Sequence, residues 1–142
     1  MADIRVIVNA EAAEVDPEPL HRAALHVVSA EGRDAGEISV TLLPDDDIRT
    51  LNREYLERDY VTDVIAFSLG DDDTVLGDVY IGFEQARRQA AEFGAEASEE
   101  LLRLVVHGVL HVLGHDHPDG DDRVESPMFE RQESLLLEIL TG

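Results

Sequence analysis

Short β-branched runs alternate along the chain with longer stretches of helical period. Ile4-Arg5-Val6-Ile7-Val8 reads as a first strand. Pro17 to about Ala30 reads as a helix, with Asp16 as its N-cap and prolines in the first turn. Ile38-Ser39-Val40-Thr41-Leu42 alternates as a half-buried strand. Asp45-Asp46-Asp47 opens a helix to about Leu56, with three acids where the helix dipole favours negative charge. Val64-Ile65-Ala66-Phe67 is a short buried strand. Gly70-Asp71-Asp72-Asp73 is a turn, and Val75 to Ile81 is a strand placed to pair antiparallel with the one before it. From Gly82 a helix runs to Phe93 and ends at Gly94. Ser98 reads as the N-cap of the next helix, Pro118 to Pro127 as a polar loop, and Met128 to Leu140 as a last helix. Four strands and about five helices predict an α+β (mixed α/β) fold, one domain over residues 1–142 with a mixed sheet of about four strands surrounded by helices.

The helix after Ser98 departs from the amphipathic pattern. Leu101, Leu102, Leu104, Val105, Val106, Val109, Leu110, Val112 and Leu113 make it apolar on nearly every side, as in a buried helix. Four of the chain's six histidines nevertheless fall within eleven residues at its end: His107, His111, His115 and His117. His107 and His111 are four apart, so both imidazoles lie on one face, one turn apart. Gly114 suits a left-handed helix end, after which His117 can approach the same point from outside the helix. Buried imidazoles without partners cost on the order of 1–3 kcal/mol each. Backbone carbonyls satisfy that need in one reading. A metal ion held by His107, His111 and His117 satisfies it in another, and leaves a fourth tetrahedral position open, as in catalytic zinc sites. His115 and Asp116 either line such a site, orient a ligand or face solvent.

Composition narrows the choice. With no cysteine, a disulfide framework and a thiolate metal site are both excluded, so a metal must be held by His, Asp or Glu. The 142 residues, 44% of them hydrophobic, suffice for a buried core. No apolar run approaches the roughly 20 residues of a membrane span, and Met1 to Arg5 carries no basic and apolar leader pattern, so the expected location is the cytoplasm, with no membrane partner. The formal net charge is −21, and all 11 basic residues are arginine. Such a surface repels anionic partners at long range and lacks the basic footprint usual for nucleic-acid binding.

The spacing His-x3-His-x2-Gly-x2-His also fits the metzincin peptidases, which carry a glutamate directly after the first histidine as general base. That position is Gly108 here. The whole run His107-Gly108-Val109-Leu110-His111-Val112-Leu113-Gly114-His115-Asp116-His117 instead resembles the YbeY family of bacterial rRNA-maturation endoribonucleases. Three further blocks extend the resemblance from about Val40 to the C-terminus: Leu51-Asn52-Arg53-Glu54-Tyr55 followed by Asp59 and Thr62 to Phe67; Gly77-Asp78-Val79-Tyr80-Ile81; and Met128 with Gln132-Glu133.

The resemblance implies a mixed α/β fold and one Zn2+ per chain on His107, His111 and His117. It implies single-strand-selective cleavage of RNA, in maturation of ribosomal RNA at the small-subunit 3′ end and in ribosome quality control, with ribosomal particles or proteins as partners. The chemistry expected is metal-assisted phosphodiester hydrolysis. Leu56 stands where the family usually has an arginine, Val61 where it has proline and Ala66 where it has serine. Arg49, Arg53 or Arg58 can then present a guanidinium to the phosphate, and Arg53 and Asp116 are further catalytic candidates. Two other readings stand beside this one: a zinc peptidase in which Asp116 or Glu133 replaces the missing base, and a metal-stabilised ribosome-assembly factor that binds without cutting.

Overall fold

The computed structural model describes residues 3–71, 73–115 and 127–142. Its elements are β1 (Asp3–Asn9), α1 (Glu18–Ala30), β2 (Ala35–Leu43), α2 (Asp45–Leu56), β3 (Val64–Ser68), β4 (Val75–Gly82), α3 (Phe83–Phe93), α4 (Ala97–Val112) and α5 (Pro127–Thr141). A single 3-10 turn at Glu11–Ala13 precedes α1. Its three residues are too few to leave a periodic signal, and the sequence reading misses it.

The strands lie in the order β1-β2-β4-β3. β1 and β2 are parallel, β2 and β4 are parallel, and β3 runs antiparallel to β4 as the intervening turn predicts. The class is α+β, a mixed four-stranded sheet with helices packed on it. Register aligns one apolar row across the sheet: Val8 beside Val40, Val40 beside Val79, and Val79 beside Ala66. In β2 the buried positions alternate, Ile38, Val40 and Leu42, and in β4 they are Val75, Gly77, Val79 and Ile81. That buried face is where α4 packs, and α4 also touches α1, α3 and α5.

Helix ends follow local chemistry, with one shift. Asp16 lies one residue outside the observed cap of α1, yet its Oδ1 still accepts from the Glu18 N–H at 3.0 Å. α4 begins at Ala97 with Glu96 as its cap, so Ser98 falls inside the first turn. The first helical bond, from the Glu100 N–H to the Glu96 carbonyl, forms two residues before Ser98 could serve as the cap. At the other end Gly114 takes φ +101, the Gly114 N–H bonds to the His111 carbonyl and the His115 N–H bonds to the Leu110 carbonyl. Those two bonds are a Schellman closure, and they stop the helix where the glycine predicts.

α4 approaches the sheet closely because glycine sits on both sides of the contact. A Cβ on Gly108 would lie 2.4 Å from Val79 Cγ1, and a Cβ on Gly77 would lie 2.5 Å from Val112 Cγ1. Each glycine is the notch that receives the other element's valine. Val105, Val106, Val109 and Leu110 around this contact are wholly buried, each stabilising the fold by about 1.5–3 kcal/mol.

Glu31, at the end of α1, ties three helices together. One of its carboxylate oxygens meets His115 Nε2 after α4, and the other accepts from Arg131 Nε of α5 at 2.9 Å. Burial alone raises the Glu31 carboxyl pKa, but hydrogen bonds from Arg131 and His115 outweigh it and hold the pKa below its ordinary 4.5.

Two outcomes follow from these contacts. Gly108→Ala is expected to destabilise the protein by about 1–3 kcal/mol through overpacking, despite a helix-propensity gain of about 1 kcal/mol. Urea denaturation of the double variant with Val79→Ala should recover part of that loss; additive losses would contradict the notch. Because the Glu31 pKa is lowered on folding, its contribution is present above about pH 4.5 and lost as pH falls through the folded value. Glu31→Gln should therefore lower the urea midpoint at pH 7, and the difference from the parent should shrink in acid.

Candidate functional site

A cavity of about 520 Å3 opens where α3, α4, α5, β3 and the segment before β3 meet. α4 contributes Glu100, Arg103, Leu104, His107 and His111 to its wall, and α5 contributes Met128, Phe129 and Gln132. Gln89 comes from α3, Asp63 precedes β3, and Leu56 and Arg58 come from the end of α2 and the turn beyond it.

The two helix histidines converge. His107 Nε2 and His111 Nε2 are 3.2 Å apart, with ring centroids 4.7 Å apart and planes inclined at 73°. Zinc–imidazole bonds of 2.0–2.1 Å at a tetrahedral angle set ligand nitrogens about 3.3 Å apart. The pair therefore has the spacing of one edge of such a tetrahedron. The donor set, two imidazole nitrogens at a cavity wall, fits a borderline divalent ion. Among the described residues no group of three His, Cys, Asp or Glu side chains forms a metal cage. His117, the third expected ligand, and Asp116 lie outside the described residues.

Polar side chains continue outward from His107. Its Nδ1 is 2.6 Å from Gln132 Oε1, and Gln132 Nε2 donates to Glu133 Oε2 at 3.0 Å. Arg103 Nε donates to Glu133 Oε2 at 3.0 Å, and Arg103 Nη1 donates to Glu100 Oε1 at 3.2 Å. Gln89 Nε2 reaches both Glu100 Oε2, at 3.4 Å, and Asp63 Oδ2, at 3.3 Å. Partial burial pulls the Arg103 pKa down, but the Glu133 and Glu100 carboxylates outweigh this and raise it. Its charge is thus firmly held, and shared among carboxylates.

The other expected residues are placed as follows. Arg53 is half exposed on α2, 3.9 Å from Asp59 Oδ1, and is not part of the cavity wall. Arg49 bonds the same Asp59 oxygen at 2.9 Å, and that bond lowers the Asp59 carboxyl pKa. Arg58 is the member of the arginine trio that lines the cavity, beside Leu56. His115 is drawn to Glu31 and is not among the residues lining the cavity. Position 108, where a metzincin carries its base, faces Val79 of β4 and offers no group to the cavity. Glu133, the substitute considered for that base, is engaged by Arg103 and Gln132.

Sequence reasoning gave no role to Asp63, Gln89, Glu100 or Arg103. A signal for two of them was present. Glu100, Arg103, His107 and His111 follow at intervals of three, four and four, a polar stripe on an otherwise apolar helix.

The family model for Endoribonuclease YbeY matches residues 6–140. A protein from Carboxydothermus hydrogenoformans named Endoribonuclease YbeY is 46% identical over 112 residues, 77% of this chain and 76% of that protein. A relative of the same name from Aquifex aeolicus is 37% identical over 140 residues, 96% and 92% of the two chains. The solution structure of TM1509 from Thermotoga maritima superposes with a TM-score of 0.70 at 31% identity, covering 97% of this chain and 89% of that one. With the family model spanning residues 6–140 and relatives of 37–46% identity covering most of both chains, the chain belongs to the YbeY endoribonuclease family.

Proposed function

We propose that this protein is a metal-dependent endoribonuclease, one zinc hydrolase domain over residues 1–142 that cuts single-stranded RNA in ribosomal RNA maturation. The observation that carries the metal reading is the 3.2 Å approach of His107 Nε2 to His111 Nε2 at a cavity wall. The relatives named Endoribonuclease YbeY support the reaction. The same reading places the chain in the cytoplasm, acting on the small-subunit 3′ end and in ribosome quality control, with ribosomal particles or proteins as partners. Among the described residues no helix is long and apolar enough to cross a membrane.

His107 and His111, with His117, would hold the ion. Bound there, zinc supplies Lewis acidity toward a phosphoryl oxygen and toward water at neutral pH. The protein's own groups do the rest. Arg58 at the cavity rim meets the phosphate charge, in place of the arginine that Leu56 displaces. Leu56, Leu104, Met128 and Phe129 offer apolar surface to an unstacked base, which a paired strand does not present. With a net charge of −21, attraction to RNA is confined to this rim, so binding by the isolated chain is weak and is helped by a partner.

A second reading rests on one observation: Leu56 is part of the cavity wall, so the family's arginine is missing from the site itself. On that reading the protein binds ribosomal particles and leaves RNA intact.

Metal content and cleavage of a single-stranded RNA, measured for the native protein and for His111→Ala, separate the two. Loss of both in the variant is expected. Loss of metal with no cleavage by either protein would favour the assembly factor. Arg58→Ala should slow cleavage about tenfold, the worth of one charge-assisted hydrogen bond of about 1.5 kcal/mol, while Arg53→Ala should change it little. Filter binding across a salt series should show weak affinity; tight, salt-insensitive binding would count against the proposal.

A further inference from the structure

The network behind His107 forms a closed loop between two helices. Arg103 and His107 occupy successive turns of α4, and Gln132 and Glu133 are neighbours on α5. Arg103 reaches Glu133, Glu133 meets Gln132, and Gln132 returns to His107. Gln132 is 5% exposed, so water does not substitute freely for these partners.

The polarity of each group forces the next. A carboxylate gripped by a guanidinium only accepts hydrogen bonds. Glu133 is so gripped, by Arg103 Nε and Nη2. The nitrogen of the Gln132 amide must then face Glu133, so its oxygen faces His107. An amide oxygen only accepts, so His107 Nδ1 must carry the proton. Its Nε2 is then the unprotonated nitrogen, and it faces His111 Nε2 at 3.2 Å. A neutral imidazole has two tautomers, and only this one can coordinate through Nε2.

We propose that Gln132 and Glu133 are positioning residues, a relay anchored on Arg103 that fixes the tautomer and aim of His107 for metal binding. The inference rests on the metal reading above. The ring is set from outside the ion's own ligands, by a helix that follows the histidine block in sequence. Groups in this position typically change metal affinity by about 10–100-fold when altered.

The test uses the full chain in three forms: native, Gln132→Met, which keeps the volume and removes the amide, and Glu133→Gln, which lets the Gln132 amide turn over. Histidine 15N NMR of the metal-free proteins reads the tautomer, and competition for Zn2+ against a chromogenic chelator reads affinity. Native His107 should carry its proton on Nδ1. Gln132→Met and Glu133→Gln should each give a mixture of tautomers, with Zn2+ affinity down by about 10–100-fold in the first and by a smaller factor in the second. Either variant suffices if the other does not fold. A native His107 protonated on Nε2 would overturn the proposal. So would weakened Zn2+ binding with an unchanged tautomer, which would mean a purely structural role. A protein that bound no Zn2+ would sink the metal reading, and the tautomer would still decide the relay. Failure to cut RNA would count against the proposed activity alone.

Discussion

How closely α4 lies on the sheet governs the rest of the site. Gly108 and Gly77 face opposing valines, and neither position has room for a Cβ. A helix held at that distance cannot rotate without driving Val112 or Val79 into backbone. With positions 108 and 112 turned to β4, the edge carrying Glu100, Arg103, His107 and His111 opens onto the cavity. The rigidity of a packed core is thus passed to two imidazoles that stand on it.

That arrangement puts ionisable and amide groups beside the most apolar helix of the protein, where an unpaired polar group is costly. The cost is met by mutual satisfaction: among the described residues no buried side-chain nitrogen or oxygen lacks a hydrogen-bond partner. Glu100, 6% exposed, is held by Arg103 and Gln89. Networks of this kind are stabilising only when complete, which makes each member sensitive to loss of its neighbour.

Electrostatics at the cavity are local. The chain as a whole is strongly acidic, and Arg103, although it lines the cavity, has its charge divided among Glu99, Glu100 and Glu133. Arg49 and Arg53 share Asp59 on the outside of α2. Arg58 is the arginine of that segment at the cavity, so under the proposed reaction the meeting with an anionic substrate depends on very few groups.

Much of this was legible in the residues. Among the described residues, period and turn chemistry located every strand and α-helix, because alternation, β-branching and terminal glycines act through local sterics. An interval of four placed His107 and His111 on one face, and Gly114 marked the helix end. The short turn at Glu11–Ala13 and the true start of α4 at Ala97 escaped, since three residues leave no period and a cap residue competes with its neighbours. The chain alone did not show that β4 lies between β2 and β3, that Arg58 rather than Arg53 reaches the cavity, or that Gln132 meets His107. Those are contacts between residues far apart in sequence, or choices of direction around a helix. Neither is set until the close packing of α4 on the sheet fixes which way each side chain points.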